Sequence, residues 1–290
     1  MNLRVHQSLW GMENLPHDWT TAQKVKQIAN AGFDGVDVAW TPSLPHGAEV
    51  IEGAEDAGLD WSIITFPKTL DDLKPVAELF AGSAVRLLNI QPNVRPMTVS
   101  EAASYVEGWT EIAQAAGLRV CFETHRDRMT NSLPFTLQLL EAVPSMELVS
   151  DLSHFLVGEE FPWPVSDENH ALISRVLSRT RAFHGRVASR EQVQIPLDFP
   201  QNRQWVNLFA GWWEEGFRLW RDRTSPTEEL IFVPELGPPW YAITGADGRE
   251  LSDRWREAIL LKDLACELWE RSLSASADPC VVVAETSGGE

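Results

Sequence analysis

Short apolar runs rich in β-branched and aromatic residues alternate with longer amphipathic stretches along the whole chain. The short runs fall at Leu3–Leu9, Gly35–Trp40, Trp61–Phe66, Val85–Ile90, Arg119–Glu123, Leu148–Asp151, Arg181–His184 and Ile231–Glu235. Their length and residue types are those of strands buried on both faces. The longer stretches carry helix punctuation. Thr20 and Thr21 precede Ala22–Ala29, which stops at Gly32; Gly47 precedes Ala48–Ala57, which ends at Gly58; Ser100 precedes Glu101–Ala116, closed by Gly117. Polar caps before a helix and glycine after it satisfy the backbone groups that helix ends leave unpaired. Eight strand–helix units joined by right-handed crossovers predict an α/β fold, a single-domain (β/α)8 TIM barrel over residues 1–272. An open doubly wound sheet is the alternative, but no GxGxxG or GxxxxGK follows any strand.

Two connections depart from regularity. The link from the seventh to the eighth strand, Gly185 to Leu230, is the longest, and its segment 203–221 crowds Trp205, Trp212, Trp213 and Trp220 together. The loop after the sixth strand, Gly158 to Pro164, is rich in Glu, Phe, Trp and Pro. Both are expected to overlie the barrel mouth. The tryptophan-rich helix is expected to pack on the barrel or on a second subunit or copy, with a wall for a sugar ring as the sharper alternative. Residues 273–290 turn small and polar apart from Val281–Val283, and read as a flexible or partner-docking tail.

Composition narrows the partners. Against 24 basic residues stand 42 acidic ones, a formal charge of −18, and the basic segments Arg126–Arg128 and Arg218–Arg223 are interrupted by acid. Such a field repels nucleic acid and anionic membranes. No apolar run reaches the roughly 18 residues of a membrane span, and the start Met1–Val5 enters a strand directly. Three widely spaced cysteines, Cys121, Cys266 and Cys280, suit a reducing compartment. A cytoplasmic protein is expected.

Barrel active sites form at the C-terminal ends of the strands. Four consecutive strands end on metal-binding groups: Glu123, Asp151, His184 and Glu235. Each alone has a plain structural explanation, as a cap, an ion pair or a buried histidine. Three carboxylates converging with an imidazole inside a barrel would repel one another without a cation between them. Hard oxygens with one imidazole suit one divalent ion, Mn²⁺ first, with Mg²⁺, Co²⁺ or Zn²⁺ as alternatives. At the ends of the first four strands stand His6, Trp10, Asp37, Trp40, Phe66, Asn89 and Gln91; Asn89 and Gln91 share a face by period-two alternation. No lysine ends a strand, which disfavours a Schiff-base aldolase.

Four segments resemble the xylose-isomerase-like barrel superfamily of sugar phosphate isomerases and epimerases. These are Phe122-Glu123-Thr124-His125-Arg126, Ser150-Asp151-Leu152-Ser153-His154, His184 with Arg190 six residues on, and Val233-Pro234-Glu235. The resemblance implies that Glu123 and Glu235 are both metal ligands and the acid/base pair, with His125, His154, Arg190, His6, Asn89 and Gln91 around the substrate. It implies an isomerase or epimerase of a keto- or aldo-sugar that works through an enediolate. Met129 stands where ketose 3-epimerases of the group place a further glutamate. That leaves room for a metal-dependent lyase, a dehydratase or a 3-oxo-glycoside-cleaving subunit. An AP-endonuclease-like enzyme would need more histidines and a basic surface, and a silent structural barrel would not need a full ligand set.

Overall fold

Eight parallel strands hydrogen-bond in sequence order and close on themselves. They are β1 (Asn2–Ser8), β2 (Gly35–Ala39), β3 (Asp60–Thr65), β4 (Leu88–Ile90), β5 (Val120–Glu123), β6 (Leu148–Ser150), β7 (Thr180–Gly185) and β8 (Glu229–Pro234), with β8 returning to pair with β1. Helices α1 (Thr21–Asn30), α2 (Gly47–Asp56), α3 (Leu70–Phe80), α4 (Val99–Ala115), α5 (Leu133–Ala142), α6 (Leu152–Gly158), α7 (Asp167–Leu177), α8 (Arg203–Arg223) and α9 (Arg254–Ser274) surround it. This is the expected (β/α)8 barrel. The computed structural model describes residues 1–41 and 47–274, and the expected tail lies outside them except for its first two residues, which close α9.

Local chemistry sets the helix starts. Thr20 accepts from the Gln23 amide while Gln23 returns a bond to the Thr20 amide, a reciprocal cap at α1. At α4 the cap is Thr98, which accepts from Glu101 at 3.2 Å, two residues before the expected Ser100. Ser100 instead sits one turn below Ser104 and offers it a carbonyl.

The period-two alternation of the strands divides the interior into layers. Outward-facing Phe122, Phe183 and Phe232 pack under the helices, against Trp109, Phe217 and Trp213 respectively. Inward-facing Leu87, Cys121, Val149, Ala182, Ile231 and Val233 form a separate apolar cluster inside the barrel. Two residues further along the same strands come Asn89, Glu123, Asp151, His184 and Glu235. The apolar plug thus carries a polar layer on its C-terminal side. At the opposite rim Asp60 accepts from Arg4 and Arg86, and Glu228 from Arg119 and Arg181.

The tryptophans of α8 resolve as core. Trp205, Trp212, Trp213 and Trp220 are all buried, Trp220 against Trp269 of α9. Their rings are therefore not available as a wall for a sugar ring. The Gly158–Pro164 loop packs onto the same helix through Phe161 on Trp212 and Trp163 on Trp205. Among the described residues no helix is long and apolar enough to cross a membrane.

The first turn of α9 holds a titratable lock. Glu257, 3% exposed, accepts from the Leu197 amide at 2.7 Å and the Ser252 hydroxyl at 3.0 Å. Burial pushes its pKa up to about 7. The folded state therefore binds a proton that the unfolded chain has released above its carboxylate range. This contribution is fully present below about pH 4.5 and is lost as pH rises through about 7. Glu257→Gln is expected to remove it. Relative to wild type, the variant should gain on the order of 2 kcal/mol in denaturant unfolding between pH 5 and pH 8. An unchanged difference between the two pH values would contradict the assignment.

Candidate active site and metal centre

Glu123, His184 and Glu235 come together in the polar layer, each nine-tenths or more buried. One donor atom from each lies within 4.8 Å of the others. His184 Nδ1 is 3.0 Å from Glu235 Oε2 and 3.6 Å from Glu123 Oε1, and is buried without a well-directed hydrogen bond. Asn89 Nδ2 donates to Glu123 Oε2 at 2.9 Å and approaches His184 Nε2 at 3.4 Å; Gln91 Nε2 donates to Glu123 Oε1 at 3.1 Å. Asn89 and Gln91 thus orient the glutamate, sharing a face as their spacing implied.

Electrostatics separates the two glutamates. Burial pushes Glu123 above the usual carboxylate range, despite the His184 imidazole. Burial acts on Glu235 the same way, but His184 and the Arg186 guanidinium outweigh it and hold Glu235 well below that range. His184 itself is desolvated, yet Glu235 and Glu123 lift it well above an ordinary histidine. Two carboxyls with opposed shifts are the arrangement from which an acid and a base are made. The field that holds a proton on His184 would equally hold a cation among the three donors. An O, N, O donor set with an unsatisfied imidazole nitrogen fits a divalent ion.

Asp151 does not join this cluster. Its Oδ1 accepts from the Ser153 amide at 3.0 Å and the Ser153 hydroxyl at 2.5 Å, capping α6. Its Oδ2 accepts from Arg186 Nε at 2.9 Å. Arg186, 1% exposed, also donates from Nη2 to Glu235 Oε2 at 2.5 Å and from Nη1 to Gln194 Oε1 at 3.1 Å. Gln194 is fixed by Gly237, whose amide and carbonyl it bonds at 2.7 and 2.9 Å. A side chain at Gly237 would meet the Trp10 ring at 2.3 Å, so glycine is required for this close approach.

Above the cluster opens a cavity of about 230 Å³, lined by Trp10, Phe66, Tyr241, Gln91, His125, Arg128, Arg186 and Glu235 among others. It is small enough for a single sugar-sized ring. His125 borders it, its Nδ1 on the Arg126 carbonyl and its Nε2 3.3 Å from the Tyr241 hydroxyl. Nδ1 therefore carries the hydrogen, and Tyr241 donates to Nε2. Burial, then the neighbouring His154, pushes His125 down to about 3. The His154 ring lies 3.9 Å behind it, fully buried, with Nε2 3.4 Å from Asp151 Oδ2. His154 thus lies behind His125 and does not line the cavity itself.

Two expected substrate contacts fall elsewhere. The Arg190 side chain is 45% exposed and pairs with Glu160 and Glu191, because the chain turns away after Ala188 to form the Ser189–Gln192 hairpin. His6 lies one layer too deep: its Nδ1 donates to Ser62 Oγ at 3.2 Å, and Ser62 donates to Asp37. Ser8, two residues on, lines the cavity instead. Met129 is buried in the core. Arg186, Gln194, Arg128 and Tyr241 were missed. Arg186 had a readable signal, since it follows His184 by two residues and so faces inward too.

No protein-family model matches the chain, and no curated protein sequence matches it. Solved structures share its fold. A xylose isomerase-like TIM barrel protein from Mycobacterium smegmatis in complex with magnesium superposes with a TM-score of 0.60 at 16% identity, over 92% of this chain and 98% of that one. The D-allulose 3-epimerase of Methylomonas sp., in complex with D-allulose, gives 0.57 at 13% identity over 93% and 97%. The probable 3-DHS dehydratase AsbF of Bacillus anthracis gives 0.52 at 14% over 94% and 99%. The fold is that of the xylose isomerase-like TIM barrels.

Proposed function

We propose that this chain is an enzyme that moves a proton next to a carbonyl of a sugar-like substrate, with Glu235 and Glu123 as the exchanging pair. The net reaction is isomerisation or epimerisation of a keto- or aldo-sugar, with elimination from an oxidised sugar as the second reading. The observation that carries it is the pair of buried glutamates flanking His184, of which Glu235 lines a ring-sized cavity and Glu123 is bonded to its wall residue Gln91. Glu123, His184 and Glu235 would hold a divalent ion, Mn²⁺ or Mg²⁺ by donor chemistry, which supplies Lewis acidity toward a carbonyl oxygen. Glu235, on the cavity wall beside Arg186, takes the α-proton, and Glu123, on the other side of His184, returns one. Asn89 and Gln91 fix the Glu123 carboxylate beside His184. Trp10, Phe66 and Tyr241 wall it, excluding water from the anion formed in between.

The second reading rests on Met129, which leaves no carboxylate at that position to hold a ketose hydroxyl. It keeps the same proton abstraction and differs in what leaves. The test is solvent deuterium incorporation followed by NMR over a panel of ketoses, inososes and 3-oxo glycosides. Metal-dependent exchange at a carbon next to the carbonyl is expected for at least one of them. A substrate turned over by hydride shift, without exchange, would overturn the reading.

A nucleic-acid substrate is disfavoured by the charge of −18. Duplex carrying an abasic site should show no saturable binding at physiological salt and no cleavage with Mg²⁺. Cleavage dependent on Glu235 would overturn the sugar assignment.

A further inference from the structure

Arg186 meets all the chemistry of a cation site with a side chain. Each side of its guanidinium is engaged: Nε on Asp151, Nη2 on Glu235, Nη1 on Gln194. Its faces lie over the Tyr241 ring at 4.6 Å and the Trp10 ring at 5.7 Å. Such a group has no freedom to swing away, and an arginine stays charged. Both Asp151 oxygens already have donors, from Ser153 and Arg186.

Charge counting agrees with the geometry. Glu123, Asp151 and Glu235 bring three negative charges, Arg186 returns one, and the remainder matches one divalent ion beside a neutral His184. Glu235 presents its Oε2 to His184 at 3.0 Å while bonded to Arg186, whereas Asp151 is not among the donors that converge within 4.8 Å and faces Ser153 and Arg186 instead.

We propose that the divalent ion is held by three protein donors, Glu123, His184 and Glu235, and that Arg186 has taken Asp151 out of the ligand set. Asp151 is then a positioning residue for Arg186. Arg186 remains at the cavity wall as a second, permanent positive centre facing the substrate. The proposal rests on the metal-assisted reading above, and metal binding itself separates the two.

The experiment is Mn²⁺ titration of the full chain, with free ion followed by electron paramagnetic resonance and folding checked by circular dichroism. Wild type is expected to bind one equivalent. Asp151→Asn should stay within about threefold of wild-type affinity, whereas Glu123→Gln should lose at least about thirtyfold. Arg186→Met removes the neighbouring cation and frees Asp151, so it should bind tighter, by about tenfold. In the double variant Asp151→Asn, Arg186→Met part of that gain should vanish. Arg186→Lys keeps the charge and is expected near wild type, which keeps the test open if the methionine variant does not fold. No Mn²⁺ binding by wild type would overturn both this proposal and the metal role. Binding by wild type with Asp151→Asn as weak as Glu123→Gln, or weaker binding in folded Arg186→Met, would overturn the three-donor centre alone.

Discussion

Glu123→Gln is expected to slow solvent exchange at the substrate α-carbon at least about 10³-fold, with Glu235→Gln comparable. The size follows from where these groups sit. Glu123 is fully buried, bonded by Asn89 and Gln91, and pushed by burial above the usual carboxylate range. An amide there can neither carry that proton nor accept from both neighbours without turning one against a like group. Glu235 is the opposite case, an ionised base held by His184 and Arg186. The two variants should differ in partial reactions. If elimination is the net chemistry, Glu235→Gln stops proton removal, while Glu123→Gln lets the first abstraction proceed without return. Single-turnover measurement of loss of the α-hydrogen separates them. Near wild-type exchange in both variants would remove the glutamate pair from the mechanism.

The second large effect concerns stability. The Arg254 side chain is wholly buried at the start of α9. It donates to Gly11 O at 2.5 Å, to Glu13 O at 2.7 Å and in a fork to Glu250 at 2.6 and 2.8 Å. It thereby pins the turn that carries Trp10 to the segment that follows β8. Arg254→Met strands Glu250 and two backbone carbonyls, a loss of about 3–5 kcal/mol. For a chain of this size that lowers the midpoint of thermal unfolding by roughly 6–15 °C. Arg254→Lys keeps the charge without the fork and should recover only part of it. A midpoint within a degree of wild type for Arg254→Met would show that the turn is held by packing alone.

The strand positions were legible because burial on both faces imposes β-rich apolar runs with little room for variation. All eight appear where expected; β4 starts three residues later, at Leu88 rather than Val85, and β5 one later, at Val120. The same alternation carried the site, since Glu123, His184 and Glu235 each follow an inward apolar residue by two positions. What it could not convey is competition between inward groups. Asp151 obeys the alternation as well as Glu123 does, yet its oxygens are captured by Ser153 and Arg186. That capture depends on a contact across 35 residues. Arg190 shows the converse, because its spacing from His184 matches a motif but the intervening hairpin redirects it to Glu160. The tryptophans of α8 pack on the barrel, the leading expectation, although indole is as suited to a sugar platform and only packing decides.

The central claim is that Glu123, His184 and Glu235 form the working metal centre, and anomalous diffraction from crystals grown with Mn²⁺ tests it most directly. The account predicts one anomalous peak in the polar layer, about 2.0–2.6 Å from a carboxylate oxygen of Glu123, from His184 Nδ1 and from a carboxylate oxygen of Glu235. Arg186 should remain bonded to Asp151 beside it. Crystals saturated with Mn²⁺ that show no peak within reach of these three residues would contradict the account.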